Sequence, residues 1–328
     1  MQLRTLSLAA PTHADGRRRR RAAGDPTATP RCPRGRPLTA AAAEPTAIDY
    51  DRIPALFVSD DAFSLSNYWD KRYEQGQQQQ EDQEEWYRGG RCMATQAVVV
   101  AHLELHLPVL QVGVGLSRLQ EEMVQPGFGG GGEEEEEDGD ASTSSPYFRS
   151  VLSTDFSPVA VQMQQRRLEM LLANPTTSSW ASRLSYLQAD ARRRLEGFED
   201  GHFAGGVLDK GTLDALLCGD DADQASSEML AEVWRLLPAQ ASYVMITSAA
   251  PAARRRLLPT AAGLAVGSPT PPPSFPIWSA AIVYRLGQGG ALSGPAVLGD
   301  DAAEAALLAA HEEDERFAYS HYAYVCVK

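Results

Sequence analysis

Val207-Leu208-Asp209-Lys210-Gly211-Thr212-Leu213-Asp214-Ala215-Leu216-Leu217 reads as a short apolar strand that breaks into an acidic, glycine-containing loop and restarts as a helix. In an open α/β sheet, ligands lie beyond the carboxyl ends of the strands, so polar residues placed there are candidates for function. Upstream, residues 109–117 make a similar strand-to-helix transition and residues 153–155 end a second strand. The three segments together make the walls of a nucleotide-type pocket.

Working outward, the chain alternates strand and helix in the way a parallel sheet with crossover helices requires. Apolar and β-branched runs predict strands over residues 109–112, 148–154, 184–188, 203–208 and 243–247. Helices are expected over 116–124, over 159–172 behind Pro158, and over 226–237, where Met229, Leu230, Val233, Leu236 and Leu237 share one face. Two late strands, 278–285 and 318–327, flank a helix over 302–315. That ending fits a sheet closed by an antiparallel edge.

Composition narrows the classes of function. The 328 residues are 43% hydrophobic, enough for a sizeable core, and the formal net charge of -13 argues against a general nucleic-acid binder. Cys32, Cys92, Cys218 and Cys326 lie far apart without C-x-x-C spacing, so neither a zinc site nor a disulfide framework is expected, and a reduced setting is. No apolar run approaches the roughly 20 residues needed to cross a bilayer. Residues 1–46 are rich in Arg, Ala, Thr and Pro and include Arg17 to Arg21. Such a segment resembles a chloroplast or mitochondrial transit peptide; a basic tail and a nuclear-import patch are the alternatives, and without import the chain would be cytoplasmic. Residues 47–328 form the expected domain. The Gln/Glu run at 76–85 and the Gly, acidic and Ser/Thr runs at 127–145 cannot bury apolar surface and read as loops.

Within the pocket, Gly113 and Gly115 let the backbone approach a ligand where the first strand gives way to a helix, and Ser117 closes that loop. A plain tight turn is the alternative. The third glycine of a pyrophosphate loop is absent, with Arg118 in its place, which favours a nucleoside without a diphosphate over NAD or FAD. Asp155 ends the second strand and could accept both hydroxyls of a ribose, or cap the helix behind it; Ser157 could fill the capping role instead. Asp190 could accept an adenine amine, with Ala189 or Ala191 supplying a backbone N–H, or be a solvated loop residue. Asp209 and Thr212 close the fourth strand, and Asp214 is placed as a cap of the next turn. Tyr68, Trp69, Tyr73, Trp86 and Tyr87 concentrate aromatics before the first strand, either as packing or as a lid.

With these residues in hand, the chain resembles the class I S-adenosylmethionine-dependent methyltransferases, and among them the lysine methyltransferases of the elongation factor 1-alpha and citrate synthase type. The resemblance covers about residues 67–328 and is carried by Tyr-Trp-Asp-Lys-Arg-Tyr (68–73), Asp-Phe-Ser-Pro-Val-Ala-Val (155–161) and Asp-Lys-Gly-Thr-Leu-Asp-Ala (209–215). The first loop departs from it: relatives carry a polar residue where Leu116 stands.

The resemblance implies a Rossmann-like, seven-stranded α/β sheet, mostly parallel, with an antiparallel C-terminal edge. It implies S-adenosyl-L-methionine as cofactor, with Gly113, Gly115 and Ser117 at its methionine part, Asp155 and Phe156 at its ribose side, and Asp190 and Ala191 at its adenine. Trp69 would cover the site and Asp209 would face the sulfonium. The implied activity is methyl transfer to a lysine of a protein, an elongation factor or metabolic enzyme, by a monomer. Asp209 or Asp214 would orient the amine, and Trp69, Tyr73, Trp86, Tyr319 and Tyr322 would line its channel. A small-molecule methyltransferase and a degenerate cofactor-binding scaffold are the alternatives.

Overall fold

The computed structural model describes residues 66–79, 93–128, 147–265, 275–309, 315–317 and 321–328. Helices α1 (Ser66–Gln79) and α2 (Met93–His102) precede β1 (Pro108–Val112) and α3 (Leu119–Met123). There follow β2 (Ser150–Asp155), α4 (Pro158–Ala173), α5 (Ser178–Ala181), β3 (Leu184–Gln188), β4 (Gly206–Lys210), α6 (Thr212–Leu216), α7 (Ala222–Leu236) and β5 (Ser242–Thr247). The last third holds α8 (Pro251–Arg254), α9 (Ala261–Ala265), β6 (Ala280–Leu286), β7 (Leu292–Val297), α10 (Asp301–Ala309) and β8 (His321–Val327).

One sheet gathers the strands in the order β3-β2-β1-β4-β5-β8-β6-β7. β1 to β5 pair in parallel, and β8, β6 and β7 are joined antiparallel. The mostly parallel sheet with an antiparallel edge is the expected class, with eight strands among the described residues in place of seven. The additional strand is β7, in which Gly294 and Pro295 interrupt any strand pattern. Pro is tolerated there because β7 is the sheet's edge and need not donate to a further neighbour.

Strand alternation divides the core between two faces. Leu110, Val112, Val207, Tyr243 and Met245 meet Met229, Leu230, Val233, Leu236 and Leu237, the apolar stripe read from the sequence. Val109, Val151, Leu208, Val244 and Ile246 point the other way, against Val98 and Val99 of α2 and Leu119 and Met123 of α3. Both faces are apolar because both are covered, as a parallel sheet requires. Each of these side chains is worth about 1.5–3 kcal/mol when buried.

Several boundaries move. β4 begins at Gly206 and includes Asp209, which the sequence places in the following loop. α1 continues through Gln79, so the first residues of the expected 76–85 loop are helical. Phe128 is buried against Phe148 at 5.9 Å, so the 127–145 segment starts with an anchored residue. The expected N-terminal segment 1–46 and the remainder of both low-complexity runs lie outside the described residues. Cys218 is disulfide-bonded, contrary to the all-thiol expectation, whereas Cys326 is a buried free thiol.

The chain leaves β1 toward β2 and β3, then returns to place β4 on β1's other side. The switch point therefore lies between β1 and β4, where an open sheet parts its loops and admits a ligand.

Candidate active site

Two loops face each other across the switch point. After β1, Gly113 and Gly115 hold φ of 59° and 51°, in the left-handed region that L side chains rarely adopt. Space demands glycine as well. A Cβ on Gly113 would collide with the Thr212 side chain, and one on Gly115 would come 2.9 Å from the Tyr73 hydroxyl. After β4, Gly211 turns at φ 83° into α6, and Thr212 donates its hydroxyl to Val112 O at 2.9 Å. That bond closes the floor of the crevice.

Asp155 stands at the end of β2 and is only 4% exposed. One oxygen accepts Gly115 N–H at 2.8 Å and the other Ser157 N–H at 2.9 Å. Burial pushes its carboxyl up to about 6, the backbone donors opposing that and Asp70 adding to it. The helix cap proper is Ser157, whose Oγ accepts Ala160 N–H at 3.1 Å. Ser157 Oγ also donates to Asp70 of α1. Phe156 follows, partly exposed.

α1 lies across this corner. Trp69 is 6% exposed and stacks on Tyr73 with ring centres 5.7 Å apart. Desolvation, and next the Asp155 carboxylate, hold the Tyr73 hydroxyl well above its ordinary pKa. Of the aromatic cluster read from the sequence, Tyr73 lies beside Gly115 and Asp155 with Trp69 stacked on it, while Trp86 and Tyr87 fall outside the described residues. Trp86 and Tyr319 lie outside the described residues, so Tyr319 receives no placement. Tyr322 sits in β8 opposite Thr247, 8% exposed.

Asp190 follows β3 and lines a small pocket with Val112, Thr154, Ala189, Ala191 and Glu232. Its carboxylate is engaged by Arg192, through Nε at 3.0 Å and the terminal nitrogen at 2.9 Å. Burial raises its pKa, but the Arg192 hydrogen bonds outweigh that and leave it below the ordinary carboxylate value. The solvated loop aspartate considered from sequence is therefore an ion-paired one. Ala189 N–H is held by Asp155 O at 2.9 Å, leaving Ala191 as the candidate backbone donor.

Asp209 requires a correction. It is fully buried within β4, accepting Tyr243 Oη at 2.8 Å, Thr212 N–H at 2.8 Å and Leu213 N–H at 3.2 Å. Its carboxylate caps α6 and is fully buried in this structure, an arrangement that lends no support to a role at a sulfonium or an amine. Burial pushes its carboxyl up to about 6, against the lowering effect of Tyr243. Asp214 is corrected in turn. It accepts Thr247 Oγ1 at 2.6 Å and Ser248 N–H at 3.4 Å and pairs with Arg254, joining α6 to the end of β5.

Sequence reasoning missed Arg254, Thr247 and Tyr243, which hold these two aspartates. Arg254 begins an Arg-Arg-Arg run that reads as a solvated face, yet it is 3% exposed. Among the described residues, no group of three or more metal-binding side chains is present, and no helix is long and apolar enough to cross a membrane.

No family model matches the chain, and no curated protein matches it in sequence. Solved structures match in part. A SAM-dependent methyltransferase of Methanosarcina mazei aligns at a TM-score of 0.35 and 13% identity, over 70% of this chain and 96% of that one. Haemonchus contortus phosphoethanolamine N-methyltransferase 1, in complex with phosphoethanolamine and S-adenosylhomocysteine, aligns at 0.35 and 14% over 56% of this chain. A Bacillus subtilis protein aligns at 0.30 and 13% over 45%. The chain spans 33% of the Haemonchus enzyme and 47% of the Bacillus protein. Likeness at this level assigns no chemistry to this chain.

Proposed function

We propose that the chain is an S-adenosylmethionine-dependent methyltransferase whose acceptor is a lysine of a protein. One observation carries the cofactor reading: a buried carboxylate at the end of β2, Asp155, beside a loop whose left-handed turns favour glycine, at the switch point of the sheet. The hydrogen-bond donors to Asp155 among the described residues are backbone N–H groups, and its burial is offset by no paired cation. Such a carboxylate gains from neutral donors, and the two hydroxyls of a ribose supply them. In this respect the residues fit the cofactor; at the adenine end they fit through Ala191 and the pocket wall, since Asp190 is held by Arg192.

When bound, the cofactor supplies an electrophilic methyl group for an amine. Asp155 holds the ribose, Gly113 and Gly115 let the chain pass close, and Phe156 borders the nucleoside. Trp69 and Tyr73 keep water off the site, which strengthens every polar contact inside it. A lysine has an ordinary pKa of about 10.4 and must arrive neutral. Desolvation at an aromatic rim favours that form, and the rim supplies alignment of amine and methyl. The resemblance of residues 68–73 and 209–215 to lysine methyltransferases supports a protein lysine as acceptor, of the elongation factor or metabolic enzyme type, and the chain is taken to act as a monomer. The Arg-rich residues 1–46 support import into a chloroplast or mitochondrion.

Calorimetry with S-adenosylmethionine, S-adenosylhomocysteine and NAD tests the cofactor. Binding of the adenosyl ligands is expected, and binding of neither, or of NAD alone, overturns the reading. Transfer of labelled methyl into a cell extract tests the acceptor: methyl-lysine after hydrolysis of protein is expected, and label confined to small molecules rejects it.

A further inference from the structure

Two buried glutamines beneath the 113–117 loop have no part in the site so far. Gln164 of α4, 3% exposed, donates its side-chain amide to both Gly115 O and Ser117 O, each at 2.9 Å. Gln120 of α3, fully buried, donates to Ser117 O at 2.8 Å and lies 3.2 Å from Tyr186 Oη. Its own Oε1 has no partner. Apolar side chains would fill this space without stranding an amide oxygen. The pair is explained by what it holds rather than by packing.

What it holds is the direction of a peptide. Gly115–Leu116 is trans, and a trans peptide points its C=O and its N–H in opposite directions. Gln164 draws Gly115 C=O toward α4, so Leu116 N–H turns the other way, away from α4. That N–H has no hydrogen-bond partner among the described residues. We propose that Gln164 is a positioning residue, which fixes the Gly115–Leu116 peptide so that Leu116 N–H meets the anionic amino-acid end of the bound cofactor. This rests on the cofactor reading given above. It also removes the difficulty at Leu116, because the main chain at that position serves where a polar side chain is missing.

The test compares two ligands by calorimetry: S-adenosylhomocysteine, and 5′-methylthioadenosine, which keeps the nucleoside and sulfur but lacks the amino-acid end. Gln164→Leu should weaken S-adenosylhomocysteine by about tenfold or more while methylthioadenosine changes by less than about twofold. An equal loss for both ligands, or none for either, overturns the assignment. If wild-type protein binds neither ligand, the cofactor reading fails instead. Should Gln164→Leu not fold, Gln164→Asn, too short to reach both carbonyls, is read by the same criteria.

Discussion

The two sides of the switch point each carry one buried aspartate, and burial treats them alike: the carboxyls of Asp155 and Asp209 are both pushed up to about 6. Their partners separate them. Asp155 takes one loop N–H on each oxygen, which leaves acceptor capacity on both. Asp209 takes two α6 N–H groups and the Tyr243 hydroxyl, and no solvent reaches it. Equal desolvation thus serves different ends. A strand-end carboxylate held by loops can take up a ligand, whereas one held by a helix end and a core tyrosine is part of the fold.

This contrast can be broken most forcefully at Asp209. Asp209→Ala strands a buried tyrosine hydroxyl and two N–H groups, and should cost about 3 kcal/mol or more of stability in chemical denaturation. A loss below about 1 kcal/mol would count against its structural role. Asp155→Ala should instead show in binding, weakening S-adenosylhomocysteine by over about tenfold. An unchanged affinity would return Asp155 to holding its loop. Acid sharpens the same point: affinity should fall by about tenfold between pH 7 and pH 5 as Asp155 protonates. Stability responds in the opposite sense. Both folded-state pKa values are raised from 3.8, so the stability these groups contribute is fully present below the ordinary carboxyl pKa and is lost as pH rises through about 6. The smallest effect is expected at Ser157→Ala, which removes the α4 cap and the Asp70 partner for about 1 kcal/mol in thermal unfolding.

Much of the β1 and β2 side of the crevice was legible in sequence because its signals are local. Gly113 and Gly115 mark left-handed backbone that favours glycine, Pro158 marks the start of α4, and the apolar run at β1 marks a strand covered on both faces. The β4 side was less legible. A two-residue shift in where β4 ends carried Asp209 from a loop into the core. The parity of the strand held the clue, since Asp209 shares a face with Val207, which meets α7. Arg254 lies 40 residues from Asp214, and no local pattern links them. Gln164 sits among Gln162, Gln165, Arg166 and Arg167, a stretch that reads as a solvated helix face. β7 was hidden by Gly294 and Pro295, and Cys218 by the absence of any paired spacing.

The most direct measurement is proton release on binding S-adenosylhomocysteine at pH 6, obtained by calorimetry in buffers of different ionisation enthalpy. Near pH 6 the free Asp155 carboxyl is about half protonated. Ribose hydroxyls that donate to the carboxylate must expel that proton. Release of up to about half a proton is expected in the wild type, with none in Asp155→Ala. Binding without proton release, or release that persists when Asp155 is removed, would contradict Asp155 as the residue that receives the cofactor.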